Sequence, residues 1–215
     1  MKTIDNITLI GAGGTGSMLL PALVPSYNVE IYDGDDYEEK NITRQIFSAN
    51  SIGVNKATTL AAVFNNGHKE VTAVPEMING SESISGDTII CCVDNNDARL
   101  AARQLSDAHD VPLIVCGNEE WEPMAWLYLP EYKYTQVNPY KRWDLGNLTE
   151  GRQFTCAGTK VIEENVQMPA ANYCAGGNAL HILESLRTCT KTSNYVAEVI
   201  STPWPIFKTI KQIEP

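Results

Sequence analysis

The sequence predicts an α/β fold: a doubly wound, mostly parallel sheet with helices on both faces. Three observations carry that expectation. Short, β-branched apolar runs alternate with longer helical stretches along the 215 residues. A glycine loop, Gly11-Ala12-Gly13-Gly14-Thr15-Gly16, follows the first apolar run at once. An aspartate, Asp33, closes the second. The length suits one large core, and residues 1–215 are read as a single domain.

Ile4 to Ile10 reads as the first strand of a parallel sheet. The glycines after it stand at G-x-G-x-x-G spacing. That spacing permits a tight turn, close approach of backbone to phosphate, and tight packing of the next helix. Thr15 to Val24 is that helix, its amino end facing the phosphates. Pro21 inside it predicts a short or kinked helix. Val29 to Tyr32 is the second strand, and Asp33 lies 20 positions after Gly13, a separation that suits a carboxylate on ribose hydroxyls. To this point the chain fits an ordinary NAD-binding fold.

Further helices are expected over Val54 to Asn66, Asp97 to His109 and Ala171 to Arg187. Val71 to Val74, Thr88 to Val93 and Val111 to Cys116 read as strands, and Ala125 to Leu129 continues the sheet. Pro130 to Arg152, with Tyr132, Tyr134, Tyr140 and Trp143, has few cues of either kind. It is either a loop that grips a substrate or one whose aromatics cover the core. Thr202-Pro203-Trp204-Pro205 reads as a rigid turn. After it, Ile206, Phe207, Ile210 and Ile213 repeat at helix-like intervals, as in an amphipathic segment packed on its own domain or on a second subunit.

The formal charge of −10 argues against nucleic acid as the main ligand, because phosphate backbones want a basic face. No stretch approaches the ~20 apolar residues that span a bilayer, so no membrane partner is expected. The first strand starts almost at the amino terminus, which predicts no signal peptide and a cytoplasmic protein. The six cysteines then imply no disulfides. Cys91 and Cys92, within an apolar strand, read as small buried hydrophobes.

Polar residues cluster after the second strand: Asp33-Gly34-Asp35, a spacer at 36–40, Asn41-Ile42-Thr43-Arg44-Gln45, then Gly53 and Lys56. A second group follows Val93, with Asp94-Asn95 and then Arg99. Singly, each has an ordinary reading. Asp94 or Asn95 suits a helix N-cap as well as a metal site. Arg44 suits a surface ion pair and Lys56 a solvated helix face.

In order and together they resemble the ThiF/MoeB/HesA family, the ubiquitin-activating-enzyme-like adenylyltransferases. The family pattern is Asp-x-Asp, a polar spacer, Asn-Leu-x-Arg-Gln, Gly-x-x-Lys, and later Asp-Asn-x-x-x-Arg. Asn172 to Arg187, with Ala175-Gly176-Gly177, is similar to the family's small-residue-rich late helix. The resemblance covers residues 4–120 well and 170–188 loosely, and does not extend to 121–170.

The resemblance implies a Rossmann-like domain that uses ATP and Mg²⁺. Its reaction adenylates the C-terminal carboxylate of a small ubiquitin-like or sulfur-carrier protein or peptide, commonly in a homodimer. Gly11, Gly13, Gly14 and Gly16 would cradle the nucleotide, with Asp33 on the ribose and Asp35 and Asn41 completing the binding set. Arg44, Gln45 and Lys56 would act on the phosphates, and Asp94 on Mg²⁺. The chemistry agrees. Attack on the α-phosphate builds charge on the leaving oxygens, which fixed positive charge stabilises. Arg offers a planar fork and Lys a point charge. Gln and Asn donate without adding charge. A carboxylate at the end of a strand suits Mg²⁺, and a substrate carboxylate already ionised needs no general base.

The sequence departs from the family in four ways, one of them the cue-poor segment Pro130 to Arg152 already noted. It lacks paired Cys-x-x-Cys motifs, so no structural zinc is expected. It begins at the first strand and has no Arg before Arg44, whereas dimeric relatives lend an Arg from helices ahead of that strand. No appended ubiquitin-fold or rhodanese-like domain is expected, and in scope the chain is comparable to minimal ThiF-like proteins of plasmids and other mobile elements. Some relatives use a late catalytic cysteine; Cys156 is the positional candidate here, as nucleophile or as inert thiol. Two other functional readings remain. A catalytically degenerate nucleotide-binding scaffold would bind nucleotide without pyrophosphate exchange. An NAD-dependent oxidoreductase would bind NADH and leave Asn41, Arg44 and Lys56 without a role.

Overall fold

A computed structural model of the chain describes residues 3–46, 49–65, 67–118, 123–131, 169–191, 195–203 and 206–212. Its regular elements are β1 (Asn6–Ile10), α1 (Gly14–Leu23), β2 (Asn28–Tyr32), α2 (Lys56–Phe64), β3 (Val71–Val74), β4 (Thr88–Cys91), α3 (Asn96–His109), β5 (Leu113–Asn118), β6 (Pro123–Tyr128), α4 (Pro169–Thr188), β7 (Val196–Pro203) and β8 (Ile206–Gln212). They form one eight-stranded sheet in the order β3-β2-β1-β4-β5-β6-β7-β8. The pairings from β3 through β5 are parallel. Those from β5 through β8 are antiparallel.

Strand alternation explains why both faces carry helices. On β4, β5 and β6, the side chains of Ile90, Ile114, Cys116, Ala125 and Leu127 join one core with Leu19 and Leu20 of α1, Leu60 of α2 and Ile182 and Leu183 of α4. Their neighbours Ile89, Cys91, Leu113, Val115, Met124 and Trp126 join a second core with Ala102 and Leu105 of α3. The period of two sends alternate residues to opposite faces. Strands buried on both faces then read as continuous apolar runs.

The chain winds from β1 outward to β2 and β3, then crosses back to β4 on the other side of β1. The reversal of direction falls between β1 and β4. A crevice therefore opens outside their carboxyl ends, where open α/β sheets bind ligands.

Several expectations are corrected. Ile206–Gln212 is not helical but is β8, paired antiparallel with β7, while Trp204, Pro205 and Ile213 lie outside the described residues. A short apolar run is ambiguous in period, and β7 supplies an unpaired edge that decides it. β7 itself carries no cue that the sequence reading used. As the short-helix expectation has it, α1 ends at Leu23, two residues beyond Pro21, which is exposed. α2 starts two residues later than expected because Asn55 caps it: the Asn55 side chain accepts from the Thr58 N–H at 3.0 Å. β5 runs two residues further, to Asn118, because β6 pairs along its full length. Residues 132–152 and Cys156 lie outside the described residues. No helix among the described residues is long and apolar enough to cross a membrane.

Candidate functional site

A cavity of about 800 Å³ occupies the crevice at the carboxyl ends of β1, β2 and β4. Gly11, Gly13, Gly14, Asp33, Asp35, Asn41, Arg44, Gln45, Lys56 and Asp94 all line it. They come from loops after three strands and from the first turns of α1 and α2.

Gly11 follows β1 with φ +93°, and a Cβ there would stand 3.0 Å from the Cys92 carbonyl oxygen. Only glycine fits both constraints without strain. Gly16 does not line the cavity; a Cβ on it would run into the Gly11 carbonyl, so its part is close packing of α1 on the loop. No side chain caps α1, and Gly13, Gly14 and Thr15 line the cavity at that end. A helix amino terminus of this kind presents N–H groups to an anion.

Asp33 is half-buried and holds the glycine loop. One carboxylate oxygen accepts the Ala12 N–H at 2.6 Å, and the other accepts the Asp35 N–H at 2.9 Å. Burial raises its pKa above the ordinary 3.8, against the pull of those two N–H groups and of Lys56. Asp35 pairs with Lys56, Nζ to Oδ2 at 2.9 Å; the lysine side chain is 10% exposed and the aspartate 56%.

Asn41 is buried in a 3-10 turn, Glu39–Asn41. Its Oδ1 accepts the Glu38 N–H at 2.9 Å, and its carbonyl accepts the N–H groups of Arg44 and Gln45 at 3.1 Å each. The role that this geometry gives Asn41 directly is to form the turn that presents Arg44 and Gln45. Gln45 Oε1 is buried with no hydrogen-bond partner among the described residues. Such an orphaned amide atom beside a cavity is costly unless a ligand or water meets it.

After β4, the choice between N-cap and metal site divides between two neighbours. Asn95 caps α3, its Oδ1 accepting the Ala98 N–H at 2.8 Å. Asp94 is exposed and lines the cavity. Arg99, buried, donates to the Val93 carbonyl at 3.1 Å and fixes the segment from behind. Among the described residues there is no group of three or more His, Cys, Asp or Glu that could hold a metal ion. Cys92 is half-buried and lines the cavity beside Cys116, rather than lying wholly in the core. A hydrogen bond to Cys116, followed by burial, pushes its thiol pKa up. Burial pushes Cys91 up to about 12. Cys91, Cys92, Cys116, Cys174 and Cys189 are free thiols.

Two asparagines escaped the sequence reading. Asn172, on α4 and fully buried, accepts the Thr15 hydroxyl and donates to the Arg44 carbonyl, both at 3.3 Å. It fills the space beside Gly14, where a Cβ would overlap its amide. Asn55 ties α2 to the Asp33–Asp35 turn. The expected helix, begun at Val54, enclosed Asn55, whose signal was the preference of Asn for an N-cap over a helix interior; for Asn172 it was a lone amide in a small-residue helix. Met77, Ile78, Leu100 and Gln104 complete the cavity's far wall. No spacing in the sequence had marked them.

A model of the ThiF family matches residues 3–210. Solved structures with the same fold include PaaA, at 18% identity and TM-score 0.70, covering 97% of this chain and 64% of that one. They also include Escherichia coli MccB crystallised with ATP, at 16% identity and TM-score 0.71, with the same two coverages. MccB with N-formylated MccA, described as a Microcin C7 biosynthetic enzyme, matches at 14% identity and TM-score 0.69, again over 97% and 64%. The chain therefore spans under two thirds of the length of these proteins. No curated protein sequence matches the chain.

Proposed function

The chain belongs to the ThiF family, and from that premise we propose that it is an ATP- and Mg²⁺-dependent adenylyltransferase. Its substrate would be the C-terminal carboxylate of a peptide or of a small ubiquitin-like or sulfur-carrier protein. Residues 1–215 would act as one adenylation domain, in a cytoplasmic homodimer. One observation carries the reading: a single cavity gathers the glycine loop, Asp33, Asn41, Arg44, Gln45, Lys56 and Asp94 from separate loops. An NAD site needs the first two and has no use for the rest. The MccB structures with ATP and with a MccA peptide support the choice of substrates.

In this reading the amino end of α1 and the glycine loop receive the phosphates. Asp33 meets the ribose with the lone pairs that the Ala12 and Asp35 N–H groups leave. Arg44 and Lys56 set positive charge against the leaving oxygens as the substrate carboxylate attacks phosphorus. Gln45 Oε1 is an acceptor, so the partner it gains is a donor that arrives with the nucleotide, a ribose hydroxyl or a bound water, and not a phosphate oxygen. The donor set at Asp94 fits a hard divalent cation, which takes one or two protein carboxylates and completes its shell with phosphate oxygens and water. Bound there, such a cation would neutralise phosphate charge.

The test is ATP–pyrophosphate exchange with Mg²⁺ and candidate C-terminal peptides, with Arg44→Ala and Asp94→Ala as controls. Peptide-dependent exchange lost in both variants is the expected result. ATP binding with no exchange for any peptide would favour a degenerate scaffold, and NADH binding in place of ATP would favour the oxidoreductase.

A further inference from the structure

We propose that Asn55 is a positioning residue of the nucleotide site, setting where Asp33, Asp35 and Lys56 stand relative to one another; this deepens the adenylation reading and rests on it. Asn55 is the N-cap of α2, and its Oδ1 accepts the Thr58 N–H at 3.0 Å. A cap needs no more than that oxygen, and Ser or Asp would supply it equally well. Asparagine adds two N–H donors, and here both carry the tie. Asn55 Nδ2 donates to the Asp33 carbonyl at 2.8 Å and to the Asp35 carbonyl at 3.1 Å.

These bonds join the two sides of the site. The Asp33–Asp35 turn carries the ribose candidate and holds the Ala12 N–H of the glycine loop. The next residue after Asn55 is Lys56, whose own N–H donates to the Asp35 carbonyl at 2.9 Å and whose Nζ meets Asp35 Oδ2. Asp36 and Asn55 also form an isolated backbone bridge. One amide thus fixes the turn against the helix from behind, while the carboxylates and the lysine face the cavity. Removing the amide leaves the Lys56 backbone bond and the bridge in place, so the turn loosens without unfolding.

Asn55→Ser separates the two roles, because serine keeps the cap and removes the tie; Asn55→Ala removes both. The experiment measures melting temperature, kcat and KM for ATP in pyrophosphate exchange, and amide hydrogen exchange of the nucleotide-free protein. Asn55→Ser is expected to melt like wild type while kcat/KM for ATP falls about tenfold or more, since small misplacements of positioning groups are costly. Amide exchange is expected to quicken over residues 33–37 with protection at Thr58 retained. Wild-type kinetics in Asn55→Ser would reduce Asn55 to a cap and overturn the proposal. So would a loss of activity matched by a loss of melting temperature. If wild type exchanges pyrophosphate with no peptide, the adenylation reading fails separately, and amide exchange decides alone: unchanged rates over 33–37 overturn the positioning role.

Discussion

At the carboxyl ends of β1, β2 and β4, polar side chains surround a cavity and are incompletely matched; between β6, β7 and α4 they are matched to one another. In the second region Asn178 donates to the Pro123 carbonyl at 3.0 Å and accepts the Ser201 hydroxyl at 2.8 Å. Ser185 accepts the Val196 N–H at 2.9 Å. These groups are buried and close on themselves. In the first region Gln45 Oε1 has no partner among the described residues, and Asp94 is exposed to the cavity. A closed network stabilises a fold, whereas an open one implies a ligand.

The largest effect expected is on the open network. Lys56→Met should lower kcat/KM for pyrophosphate exchange by about 10² or more, as removal of a transition-state charge partner does. Its melting temperature should stay near wild type, because the ion pair it breaks has an exposed partner. Equal losses of stability and activity would erase the contrast between the regions.

Next comes Gly14→Ala, whose Cβ would overlap the Asn172 amide. Overpacking should cost about 1–3 kcal/mol in urea denaturation and also depress exchange, because Asn172 holds the Arg44 carbonyl. Adding Asn172→Gly should recover stability but not exchange. Strict additivity in that double mutant would sink the proposed overlap.

In the closed network, Asn178→Ala strands a buried carbonyl and a buried hydroxyl and should cost about 1–3 kcal/mol. Exchange per folded molecule should be unaltered. A changed KM for ATP would mean that the two regions are coupled through the sheet.

The smallest effect is on pH dependence. Burial raises Asp33 above 3.8, so the folded protein binds this proton more tightly than the unfolded chain does. Its contribution to stability is therefore full below 3.8 and is lost as pH rises through the window up to the raised folded value. Comparing wild type with Asp33→Asn from about pH 7 down to about pH 4, the melting difference should move in favour of wild type. Movement the other way would mean that the Ala12 and Asp35 N–H bonds outweigh burial.

The two regions were also unequally legible in the sequence. β1 to α3 announced themselves through apolar runs and glycine spacing, signals that are local. So did the polar residues at 33–56 and Asp94 that line one part of the cavity, whereas Met77, Ile78, Leu100 and Gln104 did not. β7 and β8 did not, because their strand identity depends on pairing with β6 and with each other. Ile206, Phe207 and Ile210 satisfied a helical period and a strand equally. Asn172 and Asn55 were hidden for a related reason. Asn172 bonds Thr15 and Arg44, which are distant in the chain, and Asn55 combines an ordinary cap with a tertiary tie. Gly16 keeps the motif's spacing, but its constraint is the approach of α1 to β1.

The 2.9 Å contact between Lys56 and Asp35 has a consequence for release. At Lys56 the unliganded site already holds its cation paired. Any phosphate arriving at Lys56 trades places with a resident carboxylate, and its net gain is the difference between two ion pairs. If the proposed reaction runs here, the same carboxylate is at hand to reclaim the lysine when a polyanionic product departs, so that tight retention would be traded for a site that resets without a counter-ion from solution.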